Sequence, residues 1–166
     1  MRNALLLAAA ASLLFLPMAV HGQANASIEA RAQVLTPLTV TPYQDLDFQN
    51  VIPGLSKTVL PGDVTGGRFD LTGSGSLEVQ LDFGTLPTSL ASGADNLPIS
   101  FGASAAGYST SLTPGILTFD PAVTMDANLE SGAMSVWIGG TVSPAASQPA
   151  GLYTGNIMLT VSYTGN

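Results

Sequence analysis

Cysteine is absent from this 166-residue chain, histidine occurs once, at His21, and Lys and Arg together number four. Without cysteine there are no disulfides, no thiol nucleophile and no lipid anchor attached through a thiol. The lone histidine lies in a leader expected to be removed, so Ser-His and Cys-His catalytic pairs and most zinc or transition-metal sites are excluded from the mature chain. Its bases would then be Arg31, Lys57 and Arg68, set against eleven acidic residues, a net charge near −8. A surface of that sign repels phosphate, which argues against nucleic acid and for solubility.

The leader is read from Met1-Arg2-Asn3, a short positive start, followed by an apolar run from Ala4 to Leu16 and a break at Pro17. Small residues then offer cleavage after Ala24 or Ala26. The run is shorter than the ~20 apolar residues a spanning helix needs, so residues 1–24 are expected to be a cleaved secretory signal peptide. The organisation that follows is an N-terminal extension over 25–34 and one domain over 35–166.

Most of that domain reads as short strands. Leu77, Val79, Leu81 and Phe83 alternate with Glu78, Gln80 and Asp82, the pattern of a half-buried strand. Phe69 with Leu71, Ile99 with Phe101, Leu117 with Phe119 and Val136 with Ile138 are briefer versions, and a first core strand is expected over Leu38 to Thr41. Breakers such as Pro53-Gly54, Pro61-Gly62-Asp63 and Gly73-Ser74-Gly75 separate them. Only Asp126 to Leu129 offers a helical turn, too short to matter. Many short strands at this spacing imply an all-β sandwich or barrel.

Two segments stand apart. Ala26, Ile28, Ala30, Ala32 and Val34 alternate with Ser27, Glu29, Arg31 and Gln33, a pattern suited to a sheet rather than a loose tail. The pattern identifies a strand but not its partner, so an ordinary first strand of the chain's own sandwich is one reading. At the other end, Pro149-Ala150-Gly151 leads into a closing strand with Ile157, Leu159, Val161 and Tyr163 on one face. An apolar edge with nothing after it to cover it is a template for another chain.

Chemistry is sparse. Lys57 reads as surface, and the glycine-rich stretches precede no helix and so match no phosphate loop. The close carboxylates Asp45/Asp47 and Glu78/Asp82 read as solvated, and neither they nor Asp63 fit a calcium-loop spacing. No catalytic residue, metal site or cofactor is expected. Tyr153 is a candidate for the tyrosine that pins a sandwich corner. Trp137 faces opposite to Val136 and Ile138, a partly exposed position where a ligand or neighbour could touch it.

Three stretches together resemble a bacterial family. They are Ala32-Gln33-Val34-Leu35-Thr36-Pro37-Leu38-Thr39-Val40, then Asp45-Leu46-Asp47-Phe48 with Pro53-Gly54, then Gly139-Gly140-Thr141 through Gln148-Pro149-Ala150-Gly151-Leu152-Tyr153-Thr154-Gly155. The chain is similar to the family catalogued as domain of unknown function 4402. That family resembles the major subunits of Mat/Ecp-type fimbriae and the spore-coat-U-like pilins of archaic chaperone–usher systems. Gln49 departs from the common pattern, in which a glycine follows the phenylalanine, and the archaic pilins contain cysteine.

The resemblance implies an incomplete immunoglobulin-like sandwich, completed by a donor strand from a neighbouring subunit. Ala26, Ile28, Ala30, Ala32 and Val34 would be the donor residues, and Ile157, Leu159, Val161 and Tyr163 the acceptor groove. It implies a pilus subunit, exported through the inner membrane to a cell-surface filament. Identical subunits, a periplasmic chaperone and an outer-membrane usher would be its partners. The alternative from another class is a monomeric secreted sandwich that binds carbohydrate or a surface, which calls for clustered exposed aromatics. A small outer-membrane barrel would need longer strands and aromatic girdles, and an enzyme ranks last.

Overall fold

The computed structural model describes residues 22–112 and 115–165. The expected leader lies outside them except for residues 22–24. The chain divides after Gln33 into two units. In the first, residues 22–33 form no strand or helix and every side chain is exposed, with Ile28 at 97%.

The second unit is all-β. Its strands are β1 (Thr39–Gln44), β2 (Lys57–Val59), β3 (Gly67–Thr72), β4 (Glu78–Asp82), β5 (Ser89–Ser92) and β6 (Asp95–Ser100), followed by β7 (Ala106–Thr110), β8 (Leu117–Phe119), β9 (Met125–Asn128), β10 (Ala133–Ile138), β11 (Gly140–Val142) and β12 (Thr160–Tyr163). They form a five-stranded sheet in the order β1-β3-β10-β7-β8, a four-stranded sheet β2-β11-β6-β5 and a three-stranded sheet β12-β4-β9. The pairings are antiparallel, and the sheets pack as a sandwich and do not close into a barrel.

Alternation explains the core. Val79 and Leu81 of β4 are fully buried, while Glu78, Gln80 and Asp82 on the opposite face are half-buried. They meet Leu71, Met134, Val136 and Ile138 of the five-stranded sheet in the larger of two apolar clusters. The smaller cluster gathers Phe48, Val59, Leu97, Ile99 and Val142 beneath the four-stranded sheet, and Phe101 packs against both. Burying side chains of this size contributes roughly 1.5–3 kcal/mol each relative to exposure. That is the main support available to a fold without cross-links.

Several local expectations change. Asp126 to Leu129 forms no helical turn: residues 125–128 are β9, and Ala127 and Leu129 are buried with Asp126 and Asn128 exposed between them. The two-residue period outweighs the local helical spacing because β9 pairs with β4. The first strand runs Thr39–Gln44 rather than Leu38 to Thr41, and it is irregular between Pro42 and Gln44. The Gly139-Gly140-Thr141 stretch carries the chain from β10 of one sheet into β11 of another.

Glycine is required at that crossing. A Cβ on Gly139 would lie 2.2 Å from the Val59 carbonyl oxygen and 2.9 Å from the Leu60 carbonyl carbon, both backbone atoms. The Gly139 N–H donates to the Ala105 carbonyl at 2.7 Å, so the strand cannot retreat without losing that bond. Gly139→Ala is expected to cost roughly 1–3 kcal/mol, the usual penalty of overpacking, read as a lowered midpoint in urea with an unchanged slope.

Candidate functional site

The site grows from the segments on either side of the strands. After β1 the chain continues as Asp45 to Val51 without joining a ladder, held by one backbone bond from the Asp47 N–H to the Thr65 carbonyl at 2.9 Å. It keeps a two-residue alternation: Leu46 is half-buried and Phe48 buried, while Asp45, Asp47 and Gln49 are exposed. Gln49 has φ of 53°, in the left-handed region that costs an L-residue roughly 1–2 kcal/mol. Its N–H donates to Asp47 Oδ1 at 2.6 Å, which holds the turn in place.

The second segment is Pro149 to Ile157. The Tyr153 hydroxyl donates to the Pro149 carbonyl at 2.9 Å and accepts from Gln148 Nε2 at 2.8 Å, and Gln148 Nε2 also reaches the Asn96 carbonyl. A tyrosine hydroxyl bonded back to the backbone a few residues upstream is the corner device of immunoglobulin-type sandwiches. Thr154 pairs with Ala91 of β5 through two backbone bonds of 2.8 and 3.0 Å. Glycines bring the segment close: a Cβ on Gly151 would meet Ser92 Oγ, and one on Gly155 would meet Leu90 Cδ2, each at 2.8 Å. The Pro-Ala-Gly-x-Tyr-Thr-Gly run is thus a docking device that fastens the chain to the edge of β5.

Beyond Thr154 the chain leaves β5 and does not enter the ladder with β4 until Thr160. Between these two segments lies a groove of about 840 Å³ lined by both apolar and polar side chains. Asp45–Val51 forms one wall and Pro149–Ile157 the other, and Phe69, Leu97, Ile99 and Ile138 line it between them. It follows the seam between the two core clusters, since Phe69, Ile138 and Ile157 belong to the larger and Phe48, Leu97, Ile99 and Tyr153 to the smaller.

The proposed acceptor residues divide along the strand. Ile157 is half-buried and lines the groove. Leu159 is buried in the larger cluster, and Val161 and Tyr163 pack against it. The far end of the last strand is tied shut: the Tyr163 hydroxyl donates to the Thr36 carbonyl at 2.8 Å and accepts from the Ser74 N–H at 2.6 Å. Leu46, Phe48, Val51 and Leu90 line the groove and were not singled out from sequence for it; the alternation in Asp45-Leu46-Asp47-Phe48 was the available signal. The proposed donor residues Ala26, Ile28, Ala30, Ala32 and Val34 are all exposed and lie in no strand.

The remaining candidates have local partners. The Arg68 guanidinium stacks on Tyr43 (4.3 Å) and on half-buried Trp137 (5.5 Å), and it bonds Asp70 and Ser135. Lys57 Nζ donates to the Asn50 carbonyl at 3.2 Å. Among the described residues no three acidic or histidine side chains gather as a metal site, and no helix is long and apolar enough to cross a membrane. Arg31 is held at 2.6 Å by Glu29, whose carboxylate raises the guanidinium pKa above its ordinary value.

Removing the corner hydroxyl tests the docking of the second wall. Tyr153→Phe is expected to cost about 1–2 kcal/mol, the net worth of one to two hydrogen bonds. The thermal midpoint should drop by several degrees, with exchange of the Ala91 and Thr154 amides accelerating more than that of the β4 amides.

A family model described as a domain of unknown function (DUF4402) matches residues 38–163, more than half of the chain. No curated protein and no solved structure gives a significant match. With its matched region running from just before β1 to the end of β12, the chain belongs to the DUF4402 family.

Proposed function

We propose that this protein is the structural subunit of an extracellular bacterial fimbria, assembled head to tail by donor-strand exchange. The observation that carries the reading is the groove, a channel floored by apolar side chains whose two walls run outside the ladders except for the Thr154–Ala91 bridge. A strand laid there would cover half-buried side chains such as Leu46, Phe69 and Ile157 and offer backbone partners to both walls. Residues 26–34 of a second copy have the right pattern, with Ala26, Ile28, Ala30, Ala32 and Val34 turned inward and Ser27, Glu29, Arg31 and Gln33 outward. A contact between unlike surfaces of identical molecules is heterologous, and where its rotation does not close a ring it propagates as a filament.

The same physics implies helpers. An exposed apolar edge of this kind associates with whatever strand it meets. An exported subunit would therefore travel with its groove filled by a periplasmic chaperone and pass to its neighbour at an outer-membrane usher. The rival reading, a monomeric carbohydrate-binding module, draws less support, because Trp137 is half-buried against Arg68 instead of standing in an open aromatic platform.

The test is Ile28→Asp, the largest inward side chain in the early part of the segment. Insertion would turn an unpaired carboxylate toward the core side of the groove, and burying such a charge costs several kcal/mol. The variant is expected to be secreted and to melt like the wild type but to form no polymers, while Glu29→Gln assembles normally. Sheared surface material examined by electron microscopy and native gel size gives the readout. Normal filaments from Ile28→Asp would rule out a buried donor strand.

A further inference from the structure

The donor segment has a weakness as a self-addressing strand. Three of its five inward residues, Ala26, Ala30 and Ala32, are alanine. A slip of one residue would turn the apolar set outward and is strongly opposed. A slip of two residues keeps every inward position inward, and only Ile28 and Val34 are bulky enough for the groove to resist it. A charge on the outer face would sharpen that choice.

The charges flanking the groove and along the donor segment supply a chooser. The outer face of the wall Asp45–Val51 presents Asp45, Asp47 and Gln49, all exposed beside the groove. The opposite wall presents Ala150, Leu152, Thr154 and Asn156, which carry no charge. Of the three cations outside the leader, one, Arg31, lies in the donor segment, in phase with its outward positions. In the isolated chain Arg31 pairs with Glu29, with side chains 81% and 69% exposed. An exposed pair of that kind is worth little, so Arg31 can change partner readily.

We infer that Arg31 of one subunit is clasped by Asp45 and Asp47 on the groove rim of the next, and that this clasp selects the register of the donor strand. The inference rests on the strand-exchange reading above. Side chains directly opposite on neighbouring strands have Cβ atoms roughly 4.5–5.5 Å apart, so an outward Arg meets the outward residue of the adjoining wall. Glu29, two positions away on the same face, then constrains the choice. If the donor runs antiparallel to the wall, Arg31 opposite Asp47 puts Glu29 opposite Gln49 and Gln33 opposite Asp45. Moving Arg31 to Asp45 would drive Glu29 onto Asp47. If the donor runs parallel, Arg31 opposite Asp45 keeps Glu29 clear, and moving it to Asp47 sets Glu29 on Asp45. In either direction a single register satisfies the cation without opposing two carboxylates.

The experiment is a charge swap in the full-length mature protein, with assembly rate followed by light scattering at one fixed ionic strength. Arg31→Glu is expected to slow assembly roughly five- to tenfold, and Arg31→Lys to keep most of the rate. In the acceptor, Asp45→Lys with Asp47→Asn leaves the Oδ1 that caps the Gln49 N–H and should slow assembly comparably. Combining those changes with Arg31→Glu should restore much of the rate. The acceptor variant alone discriminates sharply: it lowers the net negative charge, so relief of general repulsion would speed assembly, whereas loss of the clasp slows it. Should the acceptor variant not fold, as judged by its melting curve, the Arg31→Glu and Arg31→Lys pair decides. If Arg31→Glu assembles at the wild-type rate while Ile28→Asp does not assemble, the clasp is wrong and strand exchange stands. If both assemble as the wild type does, strand exchange falls and the clasp with it.

Discussion

Everything distinctive about this domain follows from one constraint: backbone N–H and C=O groups beside an apolar core need partners. In twelve strands the ladders supply them. Along Asp45–Val51 and from Gly155 to Met158 the chain runs beside core side chains without joining a ladder. The sandwich is closed at one end by Tyr163 reaching Thr36 and Ser74, and open at the other, where Leu46, Phe48, Leu90 and Tyr153 face the groove.

Residues of the segments Asp45–Val51 and Pro149–Ile157 shape the walls of that groove. Gly151 and Gly155 allow close approach to β5, Tyr153 folds its hydroxyl back onto Pro149, and Thr154 makes the one bridge to Ala91. On the facing wall, Gln49 occupies a left-handed conformation that glycine adopts without strain. Here the Asp47 side chain holds that turn around a glutamine. Gly139 has a different task, letting a single stretch of chain leave the five-stranded sheet and enter the four-stranded one.

Strands with a buried face and a polar face were legible from alternation alone, as Leu77 to Phe83 illustrates. Two of the three-residue strands were not, because Gly140-Thr141-Val142 and Lys57-Thr58-Val59 are too short to establish a period, and they pair with each other; Leu117 to Phe119 was marked by its two apolar ends. Asp126 to Leu129 invited a helical reading only while Met125 was left out; with it, Met125, Ala127 and Leu129 alternate. The groove was half legible. A run such as Ile157 to Tyr163 declares that it has an apolar face, but which part of that face meets the chain's own core depends on what packs opposite. Here Leu159 is filled in by the larger cluster and Ile157 lines the groove. The facing wall comes from a segment more than a hundred residues earlier, a proximity that only the fold creates.

The account turns on what occupies the groove, and the absence of cysteine makes that directly measurable. A protein carrying Ala30→Cys and Ile157→Cys has a single pair of thiols, one in the donor segment and one on the groove wall. Oxidised under assembly conditions and run on a denaturing gel without reductant, it should give a ladder of covalent multimers whose length grows with protein concentration. A single monomer band with both thiols joined inside one molecule, at every concentration, would contradict exchange between subunits and leave a self-contained secreted sandwich.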